Sequence, residues 1–160
     1  MTILGIDPGS TRIGYGLIEK KGDLRMKTCG TIEIVSKAKP DRVTELVRRF
    51  SALIAKAKPD LAGLEKLYFA KNQKTALDVS EARGIMYSLL LKAHIPVYEC
   101  RPAEVKLMVA NYAFADKQAV AKMVAKILGI PALAGHDDTS DALAIAITAA
   151  GQFSYQTRIA

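Results

Sequence analysis

The chain has 160 residues, which suits a single domain spanning residues 1–160 and allows roughly 70% of the surface of the unfolded chain to be buried. No apolar run approaches the about 20 residues that cross a bilayer, and no basic segment with a long apolar core opens the chain, so we expect a cytoplasmic protein with no membrane segment. Lys and Arg number 23 against 16 Asp and Glu, and this net charge of +7 favours an anionic partner such as nucleic acid over a role in solubility alone.

Three strands are predicted in the first part of the chain. Residues 2–6 form a short apolar run, and the Asp-Pro-Gly-Ser sequence at 7–10 is typical of a turn. Residues 14–18 are predicted to pair with the first run as a hairpin. The alternation of the third strand predicts one shared face, made of Met26, Thr28, Gly30, Ile32 and Ile34.

Helices and strands alternate in the rest of the chain. Apolar side chains recur at i, i+3, i+4 and i+7 between Val43 and Ala57, which predicts an amphipathic helix. The next elements are predicted as a strand at 61–64, a helix at 72–92 and a strand at 96–99. A short helix is predicted to begin at Pro102, and a longer one is predicted between its cap Asp116 and its end at Gly129. The last element is predicted as a buried helix from about Asp138 to Ala150, with Gly151 after it. This order predicts an α/β domain with a mixed sheet of about five strands flanked by helices.

Four carboxylates fall at the ends of these predicted elements. Asp7 and Glu65 each follow a short apolar strand, and if the strands are parallel neighbours both side chains emerge at the edge where α/β sheets bind ligands. Asp138 and Asp141 are three residues apart and share one face at the start of the last helix. Carboxylates suit Mg²⁺, and two such ions about 3.5–4 Å apart can activate a water and stabilise the leaving oxygen of a phosphodiester.

Each of these residues also has a purely local interpretation. Asp7 can simply shape its turn, and Glu65 can be a solvated strand end. Acidic residues such as Asp138 are favoured at helix starts whether or not a metal is present. Taken singly, both interpretations stay open for each residue, and only the convergence of all four would favour a metal site.

Five segments of the sequence resemble the RuvC-type Holliday-junction resolvases. They are residues 5–10 (Gly-Ile-Asp-Pro-Gly-Ser), 14–16 (Gly-Tyr-Gly), 64–72 (Leu-Glu-Lys-Leu-Tyr-Phe-Ala-Lys-Asn), 81–84 (Glu-Ala-Arg-Gly) and 138–146 (Asp-Thr-Ser-Asp-Ala-Leu-Ala-Ile-Ala). They occur in the order of the family and cover nearly the whole chain. No single motif would suffice, but the set is highly specific.

The resemblance implies a ribonuclease H-like fold and a homodimer that resolves four-way DNA junctions by paired symmetric nicks in recombination and repair. It implies phosphodiester hydrolysis with Mg²⁺, two ions per site, for which Mn²⁺ can substitute. The catalytic and metal-binding residues it implies are Asp7, Glu65, Asp138 and Asp141. Asp137 also lies at helical spacing from Asp141, but the family pattern selects Asp138. A junction-recognition and branch-migration motor complex of the RuvA and RuvB type is the implied partner.

The resemblance also implies DNA contacts. Tyr68 matches an aromatic that stacks on an unpaired base, whereas its neighbour Phe69 is expected in the core. Lys71, Lys106 and Lys117 match basic positions near the DNA path, and their alternative interpretation is a solvated charged face. For Lys117 we favour function, because a cation at a helix N-terminus opposes the helix dipole.

The helix at 72–92 is implied to form much of the dimer interface. A close-packed contact between two copies is predicted for Ala82, Gly84, Ile85, Met86 and Leu89. The alternative is that this face simply covers the sheet, and both can hold on different faces of the helix.

The chain departs from the family at residues 111–117, where many members carry glycines and this chain has two aromatics, Tyr112 and Phe114. Stacking on DNA and core packing are equally open for them.

Three rival functions fit the sequence less well. An ATP-binding domain of the actin, sugar-kinase and Hsp70 type needs a second lobe, for which 160 residues leave no room. A non-catalytic junction-binding module would gain nothing from carboxylates facing phosphate. A nuclease acting on RNA–DNA hybrids is less consistent with the motif at 64–72.

Overall fold

The computed structural model describes residues 1–67, 73–131 and 137–159 of the chain. Within them, five strands form one mixed sheet, which confirms the predicted mixed sheet of about five strands, and their order is β3-β2-β1-β4-β5. The strands are β1 Thr2–Asp7, β2 Arg12–Lys21, β3 Asp23–Glu33, β4 Leu61–Glu65 and β5 Val97–Cys100. The helices are α1 Lys39–Ala57, α2 Gln73–Lys92, α3 Pro102–Ala110, α4 Lys117–Leu128 and α5 Asp137–Ile159.

The sheet changes from antiparallel to parallel at β1. β1 and β2 pair antiparallel, as do β2 and β3, because short turns connect them. β4 and β5 are parallel to β1, and the helical connections α1 and α2 precede them. Among the helices that the structure describes, none combines the length and the apolar composition that a membrane crossing requires.

Two apolar clusters cover the two faces of the sheet. Alternate residues of β1 divide between them, since Ile3 packs with α3, α4 and α5, while Leu4 and Ile6 pack with α1 and α2. The predicted helix α1 is confirmed, and its buried face includes Phe50, which is fully buried.

Helix α5 lies directly on the sheet because glycines leave room for its backbone. A Cβ on Gly5 would stand 1.9 Å from the carbonyl oxygen of Ala142, and one on Gly14 would stand 2.2 Å from that of Asp138. Both distances are far inside van der Waals contact, so any side chain at these positions would push the helix away. The position of the start of α5 over β1 and β2 therefore depends on these two glycines.

The prediction that Met26 shares one face of β3 with Ile32 is wrong, because a β-bulge lies between them. The register between β2 and β3 shifts from the pair Leu17–Thr28 to the pair Ile18–Met26, which leaves one extra residue on β3. Met26 consequently packs with the cluster around α5, whereas Ile32 belongs to the cluster around α1 and α2. One inserted residue reverses the alternation of a strand, so simple period-2 counting fails across it.

The predicted end of the last helix is also wrong. α5 continues through Gly151 to Ile159. Gly151 does not adopt the left-handed backbone of a helix-ending glycine. A Cβ on it would stand 3.4 Å from the sulfur of Met108, so this glycine lies at a close contact between α5 and α3. Sequence alone does not distinguish a glycine that ends a helix from one that lets a neighbour approach.

Glu45 is a buried residue that the apolar pattern of α1 does not predict. Its carboxylate is only 8% exposed, and it accepts hydrogen bonds from the backbone N–H groups of Val35 and Ser36, from the Ser36 hydroxyl and from Arg49. The Ser36 hydrogen bonds, with a further contribution from Arg49, lower the pKa of Glu45 to about 2. The ionised side chain thereby fixes the connection from β3 to α1.

Candidate active site

Asp7 and Glu65 lie side by side at the carboxyl ends of neighbouring parallel strands. Ile6 of β1 pairs with Leu64 of β4, and each carboxylate is carried by the next residue along. This confirms that the two strands are parallel neighbours, which is the condition on which the convergence of these residues depended. The crevice outside such strand ends is the usual ligand site of an open α/β sheet.

Helix α5 brings the other two carboxylates to this edge. Asp7 pairs with Gly14 across β1 and β2, and the backbone of Asp138 rests on Gly14. One helical turn further, Asp141 lines the same cavity as Asp7 and Glu65. The four carboxylates that the sequence singles out are therefore neighbours in space.

The cavity that holds this cluster measures about 320 Å³ and opens to solvent. Helices α3, α4 and α5 supply its other walls, and two lysines face the acidic side. Its lining consists of Asp7, Glu65, Pro102, Val105, Lys106, Lys117, Val120, Asp141 and Ile145. An acidic floor with basic walls can take up a metal ion and a phosphate together.

Burial and mutual repulsion disfavour the ionised carboxylates. Burial, followed by the charges of Glu65, Asp141 and Asp138, raises the pKa of Asp7 from its ordinary 3.8 to about 7, against a smaller lowering by Lys117. The pKa of Glu65 is also raised, first by burial and then by Asp141. The protein thus holds a surplus of negative charge that a divalent cation would neutralise.

Two cations partly offset this surplus. The ammonium of Lys117 lies 3.1 Å from Oδ2 of Asp141, and Nε of Arg12 lies 2.9 Å from Oδ2 of Asp138. The family resemblance predicts that Lys117 contacts DNA, and the structure places this residue on the cavity wall. Arg12 was not identified from the sequence as a residue of this site. The one local indication is that a basic residue lies five positions after Asp7.

The side chains fit a divalent metal by their chemistry. All four are hard oxygen donors of the kind that Mg²⁺ prefers, and the raised pKa of Asp7 shows that they share one electrostatic environment. Within the described residues, no three His, Cys, Asp or Glu side chains are gathered tightly enough to ligate one ion as they stand. Asp138 and Asp141 would exchange their cationic partners for the metal.

Some predicted residues fall outside the part of the chain that the structure describes. They are Tyr68, Phe69 and Lys71, and the side chain of Asp137 is not described either. The DNA-binding and core roles predicted for Tyr68, Lys71 and Phe69 therefore stay predictions.

The predicted dimer residues divide between two faces of α2. Ala82 and Met86 are 5% and 0% exposed and pack against the sheet, so they do not reach a surface that a second chain could contact. Ile85 and Leu89 are partly buried against the same cluster. A Cβ on Gly84 would meet nothing within 4 Å, so this residue faces outward. The prediction is corrected for Ala82 and Met86 because the sheet covers their face of the helix.

Comparison with known proteins identifies the family. The sequence model described as "Crossover junction endodeoxyribonuclease RuvC" matches residues 3–149 of the chain. The chain belongs to the RuvC family. RuvC of Chloroflexus aggregans is 42% identical over 149 residues, which are 92% of this chain and 91% of that protein. RuvC of Carboxydothermus hydrogenoformans is 41% identical over 147 residues, covering 91% and 93%.

Solved structures give the same result for the fold. The structure titled "T. thermophilus RuvC in complex with Holliday junction substrate" has a TM-score of 0.90 and 30% identity, covering 98% of this chain and 97% of that one. The yeast mitochondrial Holliday junction resolvase Ydc2 has a TM-score of 0.68 at 16% identity and shares the fold. The expected ribonuclease H-like architecture is confirmed.

The raised pKa of Asp7 predicts that this RuvC protein gains stability when the charge of Asp7 is removed. A folded-state pKa near 7 against 3.8 means that the folded protein binds the proton more tightly, so ionisation of Asp7 progressively opposes folding as the pH rises to about 7. At pH 8 in EDTA, Asp7→Asn should raise the free energy of unfolding by on the order of 2–4 kcal/mol and Tm by several degrees. At pH 4 the two proteins should melt together.

Thermal denaturation followed by circular dichroism checks this. Adding Mg²⁺ at pH 8 should raise the Tm of the unaltered protein more than that of the variant. Identical melting of the two proteins at pH 8 would mean that Asp7 is not electrostatically strained.

Proposed function

We propose that the chain is a Mg²⁺-dependent endonuclease that resolves four-way DNA junctions by hydrolysing one phosphodiester in each of two strands. The observation that carries this proposal is the single cavity shared by Asp7, Glu65 and Asp141, with Lys106 and Lys117 on its walls. Membership of the RuvC family supports the junction as substrate, and the structural relative from T. thermophilus is titled as a complex with a Holliday junction. Carboxylates with a bound metal ion, together with the two lysines, would attract the phosphates of a DNA backbone.

The side chains have separate tasks in this reaction. Asp7, Glu65, Asp138 and Asp141 would hold two divalent ions, which when bound supply an activated water and stabilise the leaving oxygen. Asp7 acts as a ligand only when ionised, so metal binding and proton release at Asp7 are coupled. The ammonium of Lys117 would stabilise the negative charge that develops on the phosphate.

Paired incision needs two active sites, and α2 offers a surface for a second copy. Leu77, Gly84 and Leu91 recur every seven residues along α2, on a different side from Met86. The leucines are 71% and 50% exposed, and no residue in the described part of the chain packs on Gly84. We infer a homodimer built along this outer stripe, in which a two-fold axis relates the two cavities. The motor complex of the RuvA and RuvB type stays a prediction from the family resemblance.

The decisive experiment is nicking of a synthetic immobile four-way junction in Mg²⁺, beside a linear duplex and an RNA–DNA hybrid. Cuts at symmetric positions on the junction alone, absent in EDTA and in Asp7→Asn, are expected. Preferential cutting of the hybrid would assign the site to another class of nuclease. Tight junction binding with no cutting would leave a binding module.

Replacing Lys117 should slow the chemical step while leaving the fold intact. Lys117→Ala removes a cation that faces Asp141 in the cavity, and we expect single-turnover cleavage to fall roughly 100-fold, as for loss of one group that stabilises transition-state charge. The matched control is Lys122→Ala, an exposed lysine further along α4 that is absent from the cavity lining. An equal loss in both variants would reduce Lys117 to a contributor of general positive charge.

A charge on the outer stripe of α2 should separate the proposed dimer. Leu91→Glu places a like charge opposite its symmetry mate, so we expect monomers in sedimentation velocity and nicks in single strands instead of paired cuts. Leu107→Glu, at a 53% exposed position on α3, is the matched control and should remain dimeric. If Leu91→Glu sediments like the unaltered protein, the interface lies on another surface.

A further inference from the structure

Two exposed aromatic side chains lie on the loop that joins α3 to α4. Phe114 is 82% exposed, more than any other large hydrophobic side chain in the described part of the chain, and Tyr112 is 60% exposed. Their ring centroids are 5.7 Å apart and the rings are tilted by 60°, so they contact one another without covering each other's faces. A single exposed apolar residue needs no explanation, but two aromatics paired at a loop tip form a distinct surface.

The backbone of this loop is fixed at both ends. α3 ends at Asn111, whose φ of 55° is left-handed, a conformation that asparagine tolerates better than most residues. Asp116 caps α4 by accepting a hydrogen bond from the N–H of Ala119. Between them, Ala115 is buried and its N–H donates to the carbonyl of Tyr112 at 3.1 Å. The loop therefore holds the two rings outward at little entropic cost on binding.

The loop is also tied to the cavity. Lys106 precedes it on α3, Lys117 follows it on α4, and both line the cavity with the carboxylates. Phe114 is three residues from Lys117, so their Cα atoms are within about 10 Å. Successive nucleotides of a stacked strand are separated by about 3.4 Å, so side chains carried by two backbone positions this close can contact the same short segment of one strand.

We propose that Phe114, supported by Tyr112, stacks on a base of the junction strand next to the scissile phosphate and so helps to select branched DNA over duplex. This inference rests on the proposed function and adds a base-contacting surface to it. A branch point interrupts the base stack, so a base there is displaced at lower cost than within a continuous duplex. Aromatic stacking accepts any base, which suits recognition of DNA structure instead of sequence.

Charge favours DNA over a protein as the occupant. Lys106 and Lys117, which precede and follow the loop in sequence, line the cavity in a protein of net charge +7, so a polyanion is attracted to this part of the surface. A second copy of this chain would bring the same positive charges to the contact and be repelled.

The test measures binding of a fluorescent four-way junction and of a matched linear duplex in EDTA, where the proposed cleavage cannot proceed. Phe114→Ala should weaken junction binding roughly tenfold and duplex binding much less, consistent with loss of one stacked base. Phe114→Trp should bind like the unaltered protein, whereas Phe114→Leu, which is apolar without a ring, should resemble Phe114→Ala. Leu107→Ala removes another exposed apolar side chain from α3 and should change nothing.

Two further measurements identify the contact as stacking. The logarithm of the junction-binding constant should be plotted against the logarithm of the salt concentration. The magnitude of the slope should be unchanged in Phe114→Ala and smaller by about 1 in Lys117→Ala, because only the lysine neutralises a phosphate. A 2-aminopurine placed within three nucleotides of the cut should lose fluorescence on binding the unaltered protein and keep it with Phe114→Ala.

Other results would overturn the inference. Junction binding by Phe114→Ala within twofold of the unaltered protein, or an unchanged junction affinity of Phe114→Leu, would exclude stacking. Equal losses of affinity by Phe114→Ala for the junction and the duplex would exclude selection of branched DNA. Dissociation of a dimer by Phe114→Ala in sedimentation would assign the residue to an interface between copies. Failure of the proposed function gives a different result, since a protein that binds junctions through Phe114 but never cuts them would lose its catalytic assignment and keep this surface.

Discussion

The active site depends on the close contact between the start of α5 and the glycines of β1 and β2. A side chain at Gly5 or Gly14 would collide with the carbonyl of Ala142 or of Asp138, so only glycine lets the helix backbone lie on the strands. That contact places Asp138 and Asp141 beside Asp7, although more than 130 residues separate them in sequence. Parallel pairing of β1 with β4 completes the group with Glu65.

The assembled carboxylates store an electrostatic cost in the metal-free protein. Burial and repulsion between carboxylates raise the pKa of Asp7 to about 7 and also raise the pKa of Glu65. The packing of the fold therefore keeps these carboxylates together although their charges repel one another. The ion pairs Lys117–Asp141 and Arg12–Asp138 relieve part of this cost. A divalent cation bound among these carboxylates would relieve it more completely, so metal binding would stabilise the folded protein.

Helices α3 and α4 and the loop between them are arranged around this acidic centre. α3 and α4 pack on α5 and direct Lys106 and Lys117 into the cavity, and the loop between them carries Tyr112 and Phe114 outward. One layer of the fold therefore carries Asp138 and Asp141, the two lysines and the exposed aromatic rings. The opposite layer, formed by α1 and α2, supports the sheet with Ala82 and Met86, while Leu77 and Leu91 on the outer side of α2 stay exposed.

The sequence by itself determined the order and type of the elements and the four carboxylates, because apolar periodicity in α1 and acidic residues at strand and helix ends are local signals. The tertiary structure alone decided where the bulge reverses β3, why Gly151 lies inside α5, which residues of α2 are buried and that Arg12 meets Asp138. Each of these depends on the register or proximity of segments distant in the chain. A local pattern specifies which side chains can be buried, but only packing specifies what covers them.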